Sequence, residues 1–201
     1  MRVETYETRE EWLEARRGRI TGTRAGSLLS KRNGAPLKGY WELVAERIAL
    51  PADGENPMDR GNRIEDDAVV RFVEETKKKV NNDHVIWCRD EDRSIAISPD
   101  GVIGKTEAVE VKCLNSAAHI EAYVTKAIPS EYWSQVVQYF VVNDSLKKLY
   151  FVFYDPRMPG KAEFFFIEVT RDEVADDVGE YLLTQRKVLE QVAEIEKQLT
   201  F

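Results

Sequence analysis

The chain has 201 residues, enough for one domain or at most two small ones, and enough to bury a core without disulfide support. Its two cysteines, Cys88 and Cys113, lack CxxC spacing, which excludes a disulfide framework or a zinc cage. The 29 basic and 36 acidic residues give a net charge of -7, against a uniformly basic nucleic-acid-binding surface, but Arg16, Arg17, Arg19, Arg24, Lys31, Arg32 and Lys38 crowd the first fifth of the chain.

Thr8 and Glu11 form a capping box for a first helix running to about Arg17, and Thr23 suits the N-cap of a short helix through Leu29. Lys31 to Gly39 is a polar loop. Tyr40, Leu43, Val44 and Ile48 give Tyr40 to Leu50 helical spacing. After a break from Pro51 to Pro57, Gly61 to about Lys79 is predicted as a long helix with the stripe Ile64, Ala68, Val69, Phe72 and Val73. Strands follow at His84–Cys88, Ser94–Ser98 and Ala108–Cys113, with Pro99-Asp100-Gly101 turning between the last two. Helices at Ser116–Ala127 and Ser130–Val142 precede apolar strands at Leu149–Tyr154 and Glu163–Val169. Thr170 and Glu173 are a second capping box. It opens a C-terminal helix whose packing face is Val174, Val178, Tyr181, Leu182, Val188, Val192 and Ile195. The pattern is α/β, in one domain over residues 1–201. No apolar run approaches the roughly 20 residues that cross a bilayer, and the N-terminus lacks a signal peptide's apolar core. The expected compartment is the cytoplasm.

The chemistry is concentrated between Ser98 and Lys112. Side chains alternate along a strand, so Glu110 and Lys112 share one face while Val109 and Val111 take the other. If the flanking strands pair as a hairpin, Asp100 and Glu110 converge with Lys112 beside them. Two such carboxylates make an all-oxygen site suited to Mg²⁺, with the Val111 carbonyl as a further oxygen. Pro-Asp-Gly is also a good turn in its own right, and Glu-x-Lys is common on solvated strands. Glu65 lies on the apolar stripe of its helix, where a bare carboxylate is costly. Either a metal ion compensates it, or Arg63 or another arginine at the core's edge does.

Ser98-Pro99-Asp100-Gly101 followed by Glu110-Val111-Lys112-Cys113 resembles the metal site of the PD-(D/E)xK nucleases. Over nearly its whole length the chain resembles the lambda-type, or YqaJ-like, alkaline exonucleases. Trp12 with Arg16-Arg17-Gly18-Arg19-Ile20-Thr21 is similar to that family's opening motif, although Gly22-Thr23 stands where Ala-Ser is frequent. Gly61 to Ala68 is similar to its G…E..A helix, Gln135-Val136-Val137-Gln138-Tyr139 to its Gln-Val motif, and Tyr154 to Met158 to a stretch that follows a strand. The resemblance implies a restriction-endonuclease-like core, a central mixed sheet flanked by helices. It implies two Mg²⁺ ions, replaceable by Mn²⁺, on Asp100, Glu110 and the Val111 carbonyl, with Glu65 completing the second site. Lys112 would be the catalytic lysine and Gln135 an orienting group. Arg16, Thr23 and Ser98 would bind the 5′-phosphate. The implied activity is 5′-to-3′ degradation of one strand of linear duplex DNA to 5′-mononucleotides. The implied partners are two further copies in a ring-shaped trimer and a single-strand annealing protein, in a phage or prophage recombination system. A PD-(D/E)xK endonuclease or Holliday-junction resolvase is the alternative enzyme, and a catalytically silent DNA-binding module the alternative of another class.

Other residues point less sharply to function. His84 and His119 match no zinc spacing and are expected at the surface or in the core. Tyr123, Tyr132, Trp133 and Tyr139 suit base stacking or, by their helical spacing, the core. Lys77, Lys78 and Lys79 read as a solvated helix end. Trp41 has no derivable role. Arg157 suits either a buried ion pair or a neighbouring subunit.

Overall fold

In the computed structural model the described residues are 8, 11, 14, 33, 35–49, 57–83 and 85–199. Thr8 and Glu11 exchange both bonds of a capping box: the Glu11 amide donates to Thr8 Oγ1 (3.1 Å), and the Thr8 amide donates to Glu11 Oε2 (3.3 Å). Helix α1 (Lys38–Ile48) follows, then the long helix α2 (Pro57–Thr76). Helix α2 starts four residues before the predicted Gly61, with Pro57 at its first position, where a missing N–H costs nothing. It ends at Thr76, earlier than predicted, because Lys77 takes a left-handed conformation (φ 58°). The three lysines beyond it are therefore not a helix end, and Lys78 pairs with Glu107 at 2.8 Å.

Two short strands, β1 (Trp87–Cys88) and β2 (Ala96–Ile97), form a separate two-stranded sheet among the described residues. The main sheet has the order β3-β4-β5-β6, formed by β3 (Gly101–Ile103), β4 (Glu107–Lys112), β5 (Lys148–Tyr154) and β6 (Phe164–Thr170). Strand β4 runs antiparallel to β3 and parallel to β5, and β6 runs antiparallel to β5. The sheet is mixed, as expected. The parallel step needs a crossover, which helices α3 (Ser116–Thr125) and α4 (Trp133–Val142) supply. Strand Ser94–Ser98 was the predicted hairpin partner of β4. That place belongs to β3, of which the sequence puts Gly101 in the turn and assigns Val102 and Ile103 to no element.

Alternation along β4 and β5 divides the core between two faces. Val109, Val111, Tyr150 and Val152 pack against Ala68, Val69 and Phe72 of α2. Ala108, Phe151 and Phe153 pack against Val136, Val137, Tyr139 and Phe140 of α4, which is backed by the C-terminal helix α5 (Ala175–Leu199). The sheet thus lies between α2 and α4. Tight apolar packing on both faces of β5 fixes the register of β4 beside it. Trp41 finds its place in a satellite cluster with Ala45, Ile120 and Met158, where α1 meets α3.

The entry to α5 is half a capping box. Glu173 Oε2 accepts from the Thr170 amide (2.7 Å) and hydroxyl (2.6 Å), and a 3₁₀ turn over Asp172–Val174 precedes the helix. Val174, Val178, Tyr181 and Leu182 face the core as predicted, but Val188 is 49% exposed and Leu189 packs in its stead. The side chains of Val192 and Ile195 lie outside the described ones.

Gly101 is required by close approach. A Cβ there would meet Val80 Cγ1 at 2.7 Å and Val109 Cβ at 3.2 Å. Gly101→Ala is expected to cost about 1–3 kcal/mol by overpacking and to displace the neighbouring Asp100. Urea denaturation beside the wild type checks this; an unchanged midpoint would show that Val80 yields freely.

Candidate active site

The register of β3 on β4 builds the site. Gly101 pairs with Val109, so one step further Asp100 stands opposite Glu110. Asp100 Oδ2 accepts from the Val111 amide at 2.7 Å, a bond that extends the ladder and fixes the carboxylate. Glu110 lies on the α4 face of β4, beside Phe151 in the sheet register, and is 2% exposed. Its Oε1 accepts from Lys112 Nζ in a short ion pair and from Gln135 Nε2 at 2.6 Å. Its Oε2 accepts a short bond from the Tyr139 hydroxyl. Gln135 and Tyr139 are four residues apart on α4 and reach the same carboxylate from one helical face. Lys112 Nζ also lies 5.4 Å from the centre of the Tyr132 ring.

Asp100, Glu110, Lys112 and Gln135 thus come together. Glu65 lies near enough for its charge to act on Asp100. Burial, and then the charge of Glu65, push Asp100 up to about 6, against the lowering effects of the Val111 amide and Lys112. Burial first, then the charge of Asp100, raise Glu110, while Lys112 and Tyr139 oppose the shift. Burial beside Glu110 likewise raises the Tyr139 phenol well above its usual range, so it stays a hydrogen-bond donor.

Among the described residues, no three His, Cys, Asp or Glu side chains are grouped so as to hold a metal ion. The oxygens of Glu110 face Lys112, Gln135 and Tyr139. The donor set nevertheless suits a hard divalent cation. Three carboxylates against one ammonium leave a formal excess of two negative charges in a half-buried place, and desolvation makes that excess unfavourable until a cation balances it.

Ser98 sits at the edge of the site, its Oγ donating to the Val85 carbonyl at 2.9 Å. Contact with a phosphate would require that hydroxyl to turn. Arg16 and Thr23, the other expected phosphate ligands, lie outside the described residues, as does His84. His119 is a core residue, its Nε2 bonded to the Ala162 carbonyl at 2.7 Å.

The aromatic residues take core roles. Tyr139 is fully buried, Trp133 Nε1 donates to Asp177 at 2.8 Å, and Tyr123 lies edge-on to Phe165. Arg157 forms the buried ion pair: its Nε and Nη2 each reach Asp155 at 2.8 Å. Sequence reasoning missed the direct bond from Tyr139 to Glu110, although the four-residue spacing from Gln135 carried that signal. It also missed two arginines that hold the C-terminal end of α4. Arg89 donates to the Val141 carbonyl and pairs with Asp144, and Arg171 donates to the carbonyls of Phe140, Asn143 and Leu146. Cations at a helix C-terminus satisfy its orphan carbonyls and oppose its dipole.

The fold has counterparts among known proteins. The chain is similar to LHK-Exo, an alkaline exonuclease from Laribacter hongkongensis. Against its crystal structure the identity is 26% with a TM-score of 0.58, and against its complex with dAMP 27% with a TM-score of 0.57. Each match covers 95% of this chain and 100% of the other. No curated protein matches. The sequence profile of the YqaJ-like viral recombinase domain matches residues 11–145, which include every carboxylate of the site. The chain belongs to the YqaJ-like viral recombinase family and has the fold of the alkaline exonucleases.

Proposed function

We propose that the protein is a Mg²⁺-dependent exonuclease that degrades one strand of linear double-stranded DNA in the 5′-to-3′ direction. It releases 5′-mononucleotides and leaves a 3′ single-stranded overhang. The carrying observation is that Asp100 feels the charge of Glu65 and lies beside Glu110, which pairs with Lys112 and is held in place by Gln135 and Tyr139. Asp100, Glu110 and the Val111 carbonyl would hold one Mg²⁺ and Glu65 a second. Ions bound there would supply a lowered water pKa and an offset for charge on the leaving 3′-oxygen. Lys112, paired with Glu110, presents an ammonium beside the scissile phosphate and balances its developing charge. Arg16, Thr23 and Ser98 would receive the 5′-phosphate of the end. Closure into a homotrimeric ring around DNA would give processivity to an acidic protein. The resulting overhang suits a single-strand annealing partner in the cytoplasm of a phage-bearing bacterium.

The test is digestion of end-labelled linear duplex beside closed circular DNA, with and without Mg²⁺. Linear DNA bearing a 5′-phosphate is expected to yield labelled mononucleotide, and circular DNA to survive. Nicking of the circle would establish the endonuclease reading, and no cutting of either the silent DNA-binding module.

The raised carboxyl groups set a pH dependence. Asp100 keeps its proton up to about pH 6 in the folded chain but loses it near pH 4 when unfolded. Its ionisation therefore costs folded-state stability as pH rises between those values. A cation that binds the ionised form must displace the proton below pH 6. Mg²⁺ affinity is expected to climb by up to about tenfold per pH unit for each proton released, and to level off above about pH 7. Calorimetric titration reads both affinity and proton release. Affinity that does not change between about pH 5 and pH 8 would remove Asp100 from the metal site.

A further inference from the structure

Beside the carboxylates lies a cleft of about 420 Å³ between α4 and α5. Ser134, Gln135 and Gln138 line it from α4, Tyr181 and Gln185 from α5, and Ile97 and Ser98 from the strand side. Among the described residues no lysine, arginine or carboxylate lines it, which suits neither a phosphate nor a cation. Its walls are amides, hydroxyls, one aromatic ring and one aliphatic side chain. We infer that this cleft is a nucleobase subsite, taking the base of the nucleotide whose phosphate lies at Asp100, Glu110 and Lys112; this rests on the nuclease reading above.

The amide orientations follow from a chain of hydrogen bonds. Gln138 Nε2 donates to the Ala96 carbonyl at 3.2 Å, and that carbonyl can only accept. Gln138 Oε1 must then be the acceptor on its other side, and it takes a bond from Gln185 Nε2 at 2.6 Å. Gln185 is left with Oε1 as an acceptor and its second N–H as a donor, on one planar group. Such a pair matches the donor–acceptor edge of a base, as amides read adenine N6 and N7. Tyr181 lines the same cleft, and an aromatic ring stacks on any base and so tolerates sequence. Gln135 joins the two halves of the site. Its Nε2 is held by Glu110 while the same side chain lines the cleft. A phosphate at the carboxylates and a base in the cleft would be parts of one nucleotide. The C-terminal helix thus acquires a role in substrate contact beyond bracing α4.

The test compares deoxyadenosine 5′-monophosphate with 2-deoxyribose 5-phosphate, which has the same sugar phosphate and no base. Each is titrated with Mg²⁺ into the full chain by calorimetry, and the Gln side-chain amide resonances are followed by NMR. The nucleotide is expected to bind about tenfold more tightly and to shift the Gln185 and Gln138 resonances. Gln185→Ala and Tyr181→Ala are each expected to bring the two affinities together while leaving that of the sugar phosphate unchanged. That unchanged affinity also reports an intact fold. Equal affinities in the wild type, no binding of the nucleotide, or a preference retained by both variants would each overturn the subsite. Failure here with linear DNA still digested refutes the subsite alone. Failure of digestion refutes the nuclease reading.

Discussion

Glu110→Gln is expected to lower the rate of DNA cleavage by about 10³-fold, or roughly 4 kcal/mol in barrier, without unfolding the protein. The swap keeps the shape of the side chain and most of its bonds. The amide oxygen still accepts from Lys112 and Gln135, and the amide nitrogen can donate to the Tyr139 oxygen if that hydroxyl turns. What disappears is a negative charge buried beside Asp100, and with it the metal ligand proposed above. Loss of that charge relieves repulsion, so the metal-free variant should melt no lower than the wild type. Single-turnover digestion of linear duplex and a thermal melt, taken together, decide the point. Cleavage within tenfold of wild type would place the metal elsewhere. A collapsed melting temperature would mean that the charge serves the fold rather than the reaction.

Arg157→Ala is expected to produce the largest loss of stability, about 2–4 kcal/mol, because breaking a buried pair strands its partner. Asp155 is fully buried and takes two bonds from the Arg157 guanidinium. Ser116 Oγ (2.8 Å) and the Arg157 amide (3.1 Å) would remain, which keeps the loss below that of a bare buried charge. Burial alone would raise the Asp155 carboxyl; the bonds from Arg157 and Ser116 outweigh it and hold the group below its usual range. A depressed carboxyl stabilises above its unfolded pKa, and that stability is lost as pH falls through the folded value. The gap between wild type and variant should therefore be full at neutral pH and shrink below about pH 4. Urea denaturation at both pH values reads it. Adding Asp155→Asn to the variant should recover part of the loss; a double variant no more stable than Arg157→Ala would assign the effect to packing.

Much of this arrangement was legible because it is local. The stripe on α2, the alternation that puts Glu110 and Lys112 on one face, and the bonds between Thr8 and Glu11 depend on residues two to four apart. What escaped was decided at long range. Strand β3 has three residues and no strand signature, and it exists because Val109 and its neighbours offer it a ladder. Ala96 and Ile97 look like the better strand, but they pair with Trp87 and Cys88 instead. On α5, Val188 and Leu189 are both apolar at near-helical spacing, and only the position of α4 decides which of them is covered. The charges capping α4 come from Arg89 and Arg171, more than 80 residues apart in the chain, which no local pattern could join.

The parallel pairing of β4 with β5 bears on where the molecule can be divided. The conserved-family match ends at residue 145, three residues before β5 begins. A fragment trimmed to that boundary would keep Glu65, Asp100, Glu110, Lys112, Gln135 and Tyr139. It would lack the strand against which Glu110 is aligned, and with it Phe151, Phe153 and Val152 from the two faces of the core. During synthesis the same holds in time: the chemistry is fully encoded before the scaffold that orders it has been made. A fragment ending at residue 145 is therefore expected not to cut DNA, because strand β4 would lose its parallel neighbour.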